Sequence, residues 1–128
     1  MESSPPKIVV ALVADLFFSV RLGNQIKQAG FEPKIVKSAA DFRSAMADSG
    51  VVLGVVDLGA RVNLDDLQAP AGQSLPMIAF GPHKDVDALR GAKQAGFTRV
   101  MSNSQFHANT VEMLQRYARS SPEEPSTS

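Results

Sequence analysis

The chain has 128 residues, 44% of them hydrophobic, and its 13 basic side chains are balanced by 13 acidic ones. That is length for one domain and enough apolar residue to give it a packed core, which argues against disorder. Zero formal charge without a long basic run excludes electrostatic capture of nucleic acid or anionic membrane, and the lack of cysteine excludes disulfides, thiolate metal sites and a cysteine nucleophile.

Residues 1–6, "MESSPP", read as a flexible N-terminal arm. The apolar run that follows, Ile8 to Val13, is too short for a signal peptide core or a spanning helix, so a cytoplasmic location is expected. That run, "IVVALV", is the first predicted strand. Phe18, Leu22, Ile26 and Ala29 then recur at three- and four-residue spacing, predicting a helix that Gly30 closes. "PKIVK" (33–37) is the second strand. Ser38, with Asp41 three residues later, predicts a helix start ahead of Phe42, Ala45 and Met46.

"VVLGVVD" (51–57) is the third strand, and a short helix is expected after Asn63. "PMIAF" (76–80) is the fourth. A helix from near Asp85 to Gly96 should bury Val86, Leu89 and Ala92. "TRVMS" (98–102) is the fifth strand. The last helix runs from about Asn109 to Ala118 and should bury Val111, Leu114 and Tyr117, with 104–108 left unassigned as its lead-in. "KQAGF" occurs at 27–31 and again at 93–97, which reads as a shared helix ending, a left-handed glycine followed by a tucked phenylalanine. The domain is placed at 7–118 and a disordered, solvated tail at 119–128.

The strands are continuously apolar rather than alternating, as parallel strands covered on both faces are. Five of them alternating with helices predict an α/β fold, a (βα)5 doubly wound three-layer sandwich. Such sheets place ligands beyond the carboxyl ends of the strands. The residues to inspect are therefore Ala14 and Asp15, Asp57, Gly81 to Lys84, and Ser102 to Ser104.

That rim supports few chemistries. The first strand-to-helix turn, "ADLFF", has no glycine to bring backbone amides onto a phosphate. No "GxSxG" is present for a serine nucleophile. His83, in "GPHKD", reads as a rim loop residue, and His107 as a solvated residue before the last helix. No histidine and aspartate share ligand spacing on one element. The carboxylates remain: Asp15 and Asp57 should sit on neighbouring strand ends, and a strand-end carboxylate can attack a phosphoryl group when a divalent cation neutralises the approaching oxygens.

On these residues the chain resembles the receiver (CheY-like) domain of two-component response regulators. The resemblance runs from about Lys7 to Ala118 and rests on "VVDLGA", "LPMIAF", "AGFTRV" and the five strand–helix units. It implies a flavodoxin-like parallel sheet of order 2-1-3-4-5, Asp57 as phosphoacceptor candidate, and Mg2+ bound by Asp15 and Asp57 as the only cofactor to consider. The family's pattern is eroded. Ala14 stands where a second acid of the metal pair belongs. Gly81 stands in place of the hydroxyl residue, Asn103–Ser104 in place of Lys–Pro, and Val100 in place of the aromatic switch. "ADLFFSVR" and "GPHKD" also resemble an uncharacterised bacterial group of receiver-like proteins, which supplies no function.

Three readings stay open. The first is a degenerate, stand-alone pseudo-receiver that is not an enzyme, needs no cofactor and acts by protein–protein contact without phosphorylation. Its partner would be a signalling component such as a histidine kinase or an output protein, and the chain a monomer or weak homodimer. The second is a two-component receiver phosphorylated on Asp57 with weak Mg2+ binding. The third is an enzyme or small-ligand binder using Asp15, Asp57, His83 and Asn103. Asp57 has a structural alternative, accepting backbone hydrogen bonds in its turn or pairing with Lys84, and Asp15 has one as a helix cap. Phe17 is expected to be exposed near Arg21, as surface tolerance or an interaction site. The resemblance adds Arg99, Gln105 and Arg116 as the interaction face.

Overall fold

The computed structural model describes residues 6–67 and 75–118; most of the predicted arm and all of the predicted tail lie outside the described residues. Strands β1 (Ile8–Leu12), β2 (Glu32–Val36), β3 (Val51–Asp57), β4 (Met77–Gly81) and β5 (Arg99–Ser102) alternate with helices α1 (Leu16–Gln28), α2 (Ala39–Met46), α3 (Val86–Gln94), α4 (Asn103–Ala108) and α5 (Thr110–Tyr117). Two 3-10 turns, Leu58–Ala60 and Leu64–Leu67, follow β3. The five strands form one parallel sheet of order β2-β1-β3-β4-β5, the order expected.

Strand alternation sorts the core into two layers. Val9, Ala11, Val13, Val55, Ile78 and Phe80 meet Leu22 and Ile26 of α1, Phe106 of α4 and Leu114 of α5 on one face. Val10, Leu12, Val56 and Ala79 meet Phe42 and Met46 of α2 and Ala92 of α3 on the other. Burial on both faces explains why the strands read as unbroken apolar runs.

Three of the helix starts come from side chains that capture otherwise unbonded backbone amides. Asp15, Ser38 and Asp85 each accept the N–H three residues on, at 3.0, 3.1 and 3.2 Å. Gly30 and Gly96 adopt φ of 100° and 95°, so both "KQAGF" copies do end a helix on a left-handed glycine.

One open segment is filled and one reading is corrected. Segment 103–108, unassigned from the sequence, is a helix, α4: Ser102 accepts the Gln105 N–H at 3.2 Å while Gln105 accepts the Ser102 N–H at 3.0 Å. The Ser-x-x-Gln spacing of that capping box was there to be read. Val86, expected in the core, is 52% exposed. As the first residue of α3 it precedes the turn that reaches the sheet, and Ala92 supplies the fully buried contact.

Candidate functional site

The site grows from the carboxyl ends of β1 and β3, adjacent in the sheet with Leu12 paired to Val56. Asp57 follows Val55 by two residues, so its side chain belongs to the face of α1, α4 and α5. Asp57 accepts the Gly59 N–H at 2.9 Å, and Asp15 accepts the Phe18 N–H at 3.0 Å. Both carboxylates therefore perform the backbone roles open to them. The ion pair considered between Asp57 and Lys84 does not form: the one salt bridge among the described residues joins Arg90 to Asp87.

Burial pushes the Asp57 carboxyl above its usual range. The Gly59 amide and the nearby His107 pull it partly back, and the neighbouring Asp15 charge adds to the rise. The two acids thus act on each other, as strand-end neighbours should.

His107 is the residue that sequence reasoning missed. Expected as a solvated residue, it is partly buried on α4 and packs edge-on against Phe18, with ring centroids 4.8 Å apart. It also approaches Phe80 and Phe106, each at 5.8 Å. Its Nδ1 is buried and without a hydrogen-bond partner among the described residues. Desolvation lowers its pKa below 6.5, the Arg21 charge lowers it further, and Asp57 opposes both. The cause is tertiary, since Phe80 stacks on Phe106 at 4.3 Å and Phe18 meets Phe80 edge-on at 5.6 Å. These rings form a wall beside Asp57, which pairs in register with Phe80.

The other rim residues divide by place. Ala14 is exposed beside Asp15, and Gly81 pairs with Ser102 across the ends of β4 and β5. A Cβ added at Gly81 would meet the Leu58 Cβ at 3.2 Å, so the missing side chain is replaced by close packing of Leu58. Asn103 and Ser104 open α4, while His83 is exposed in the turn after β4.

The proposed interaction residues do not share one element. Phe17 is on α1 and 86% exposed, beside exposed Leu16 and Val20. Arg99 begins β5, Gln105 is held in the capping box of α4, and the Arg116 guanidinium lies 5.9 Å from the Tyr117 ring centroid on α5.

A magnesium ion wants several oxygen ligands. Among the described residues no three His, Cys, Asp or Glu side chains are grouped to take a metal. An ion at this rim would have the Asp15 and Asp57 carboxylates and waters as its ligands. No described helix is long and apolar enough to cross a membrane.

The raised carboxyl yields a test. A group favoured in its protonated form on folding contributes stability that is fully present below the unfolded value of 3.8 and lost as pH rises through the higher folded value. Asp57→Asn keeps an oxygen acceptor for the Gly59 N–H and removes the charge. At neutral pH the variant should be the more stable, by a margin that the partial exposure of the group keeps small. The gap should close as pH falls toward 3.8. Urea denaturation at several pH values measures it; a gap that widens toward acid reverses the sign and rejects the account.

No protein-family model and no curated protein matches the chain. Solved structures do. The receiver domain of the response regulator TorR of the TMAO respiratory system aligns with TM-score 0.70 at 16% identity, covering 88% of this chain and 99% of that one. A response regulator in red light signaling of R. palustris aligns with TM-score 0.66 at 16% identity, covering 94% and 99%. A CheY-like receiver domain from Methylobacillus flagellatus aligns with TM-score 0.67 at 16% identity, covering 88% and 99%. At these identities the likeness establishes the fold: the chain has the receiver architecture across nearly its whole described length.

Proposed function

We propose that this chain is a receiver-like signalling module whose output is contact with another protein and does not wait for phosphorylation of Asp57. The observation that carries this reading is the setting of Asp57, which lies in register with Phe80 beside the Phe18, Phe80 and Phe106 rings and has no Lys or Arg partner among the described residues. The phosphoryl group that a carboxylate nucleophile receives brings further negative charge that needs donors or cations aimed at it. Ala14, Gly81 and Asn103 provide a methyl group, a hydrogen and a neutral amide at the three places where the receiver pattern provides acid, hydroxyl and ammonium.

The rest of the reading follows by analogy with the fold's neighbours, which are response regulator receivers. The module is non-enzymatic and cytoplasmic, needs no cofactor, and works as a monomer or weak homodimer on a histidine kinase or output protein. Nucleic acid and membrane are not among its partners. A second reading, phosphorylation of Asp57 with weakly held Mg2+, draws support from the mutual influence of the Asp15 and Asp57 charges.

Intact-mass spectrometry after incubation with acetyl phosphate and magnesium separates the two. The wild type should gain no mass while a competent receiver labels in parallel. A gain of roughly 80 Da, one phosphoryl group, in the wild type but not in Asp57→Asn would replace the first reading by the second.

A further inference from the structure

Helix α4 is short, and Asn109 breaks it from α5: the backbone there turns to φ −140° and ψ 42°, and the Asn109 side chain makes no cap bond to α5. Its first turn is tied to β5 by the Ser102–Gln105 capping box. Past that box two side chains enter the ring wall. Phe106 is fully buried on Phe80, and His107 reaches Phe18, which makes it the aromatic contact between α4 and α1. That contact suits a neutral ring. An imidazolium carries hydrogen on both nitrogens, so the buried Nδ1 would present a donor with no acceptor among the described residues. The charges around the ring are few. Arg21 of α1 disfavours its positive form, while Asp57 of β3 favours it but forms no ion pair with it. β4 presents Phe80, α4 has no other ionisable side chain, and Asp15 before α1 and Glu112 and Arg116 of α5 are exposed.

We propose that His107 is a proton-operated latch on α4: neutral, its ring holds α4 against Phe18 of α1, and protonated, it leaves the wall for solvent and α4 loosens about Asn109. The inference rests on the reading of the chain as a module that does not wait for phosphorylation, and it names acidification as the signal that regulates it. Histidine is the side chain whose charge changes close to neutrality. Burial and then Arg21 hold the folded value below 6.5, so the latch contributes stability that is full above 6.5 and lost as pH falls through the lower folded value. Across that window the loosened population should rise about tenfold per pH unit. Release bares the Phe18 ring, so the surface offered to a partner differs between the two states.

The test is an NMR titration of the full chain from about pH 8 to about pH 5, following the His107 ring, the α4 amides and the ring-to-ring Overhauser contact between His107 and Phe18. The contact should be present at the alkaline end and lost with the midpoint of the ring's own titration, below 6.5. The amide signals of 103–109 should move with that midpoint while those of β1 and β3 stay in place. Arg21→Gln should raise the midpoint, because that charge opposes protonation. In His107→Gln, and in His107→Phe, which keeps a ring in the wall, the α4 signals should not respond across the window. A contact that survives protonation of the ring, or an α4 response that persists in either variant, overturns the latch. Acetyl phosphate labelling of the same protein, read by intact mass, separates the two readings. Label on Asp57 with the pH response intact overturns only the phosphorylation-independent reading, and unlabelled protein without the pH response overturns only the latch.

Discussion

Replacing Phe80 by alanine should cost about 3–5 kcal/mol of folding stability, the range for deleting a buried aromatic ring. Phe80 is 1% exposed, stacks on Phe106 with the planes 5° apart, and receives Phe18 edge-on. Its removal takes a contact from each neighbour and leaves a void between a central strand, α1 and α4. Domains of this size hold only about 5–15 kcal/mol in total, so the midpoint of thermal unfolding should fall by roughly 10–20 °C. Phe80→Leu, which retains most of the volume, should cost markedly less. The ring pair should also show in a double-mutant cycle with Phe106→Ala, with a coupling of about 0.5–1.5 kcal/mol. A loss below about 1 kcal/mol for Phe80→Ala would mean that the wall collapses freely and is not a packed unit.

The same substitution has a consequence at the rim. Desolvation is the first cause of the lowered His107 pKa, and Phe80 is one of the rings that exclude water from it. With that ring gone, the imidazole should titrate closer to 6.5, which proton NMR of the His107 ring would follow.

The second large effect is a gain. The combined variant Ala14→Asp/Gly81→Thr/Asn103→Lys should acquire an acetyl phosphate-dependent, Asp57-dependent label that the wild type lacks, with a labelled fraction raised roughly tenfold or more. The added acid supplies a further magnesium ligand, and the hydroxyl and ammonium supply donors for the phosphoryl oxygens. Gly81→Thr brings a Cβ to 3.2 Å from that of Leu58, so the variant should also lose about 1–3 kcal/mol by overpacking. A folded variant that gains no label would show that the three side chains are insufficient in this backbone. The deficit at Asp57 would then lie in its turn and burial.

Much of the fold is legible in the sequence alone. Strand and helix alternation needs only local apolar runs, periodicity and cap residues, and these are properties of neighbours in the chain. Ile8–Leu12, Val51–Asp57 and the two "KQAGF" helix ends are legible for that reason. The candidate acid Asp57 was likewise found by position, at the end of an apolar strand, and the missing acid, hydroxyl and ammonium at Ala14, Gly81 and Asn103 are matters of residue identity.

What only the tertiary structure decided are the properties that depend on partners far apart in the chain. His107 is polar in sequence, yet Phe18 of α1 and Phe80 of β4 come to join its neighbour Phe106 in packing around it. Val86 carried the apolar signal of a core residue but lies ahead of the point where α3 meets the sheet. Local backbone preference wrote the elements into the sequence. Desolvation, ring packing and charge proximity arise only when the sheet brings those elements together, and they set the character of Asp57 and its surroundings.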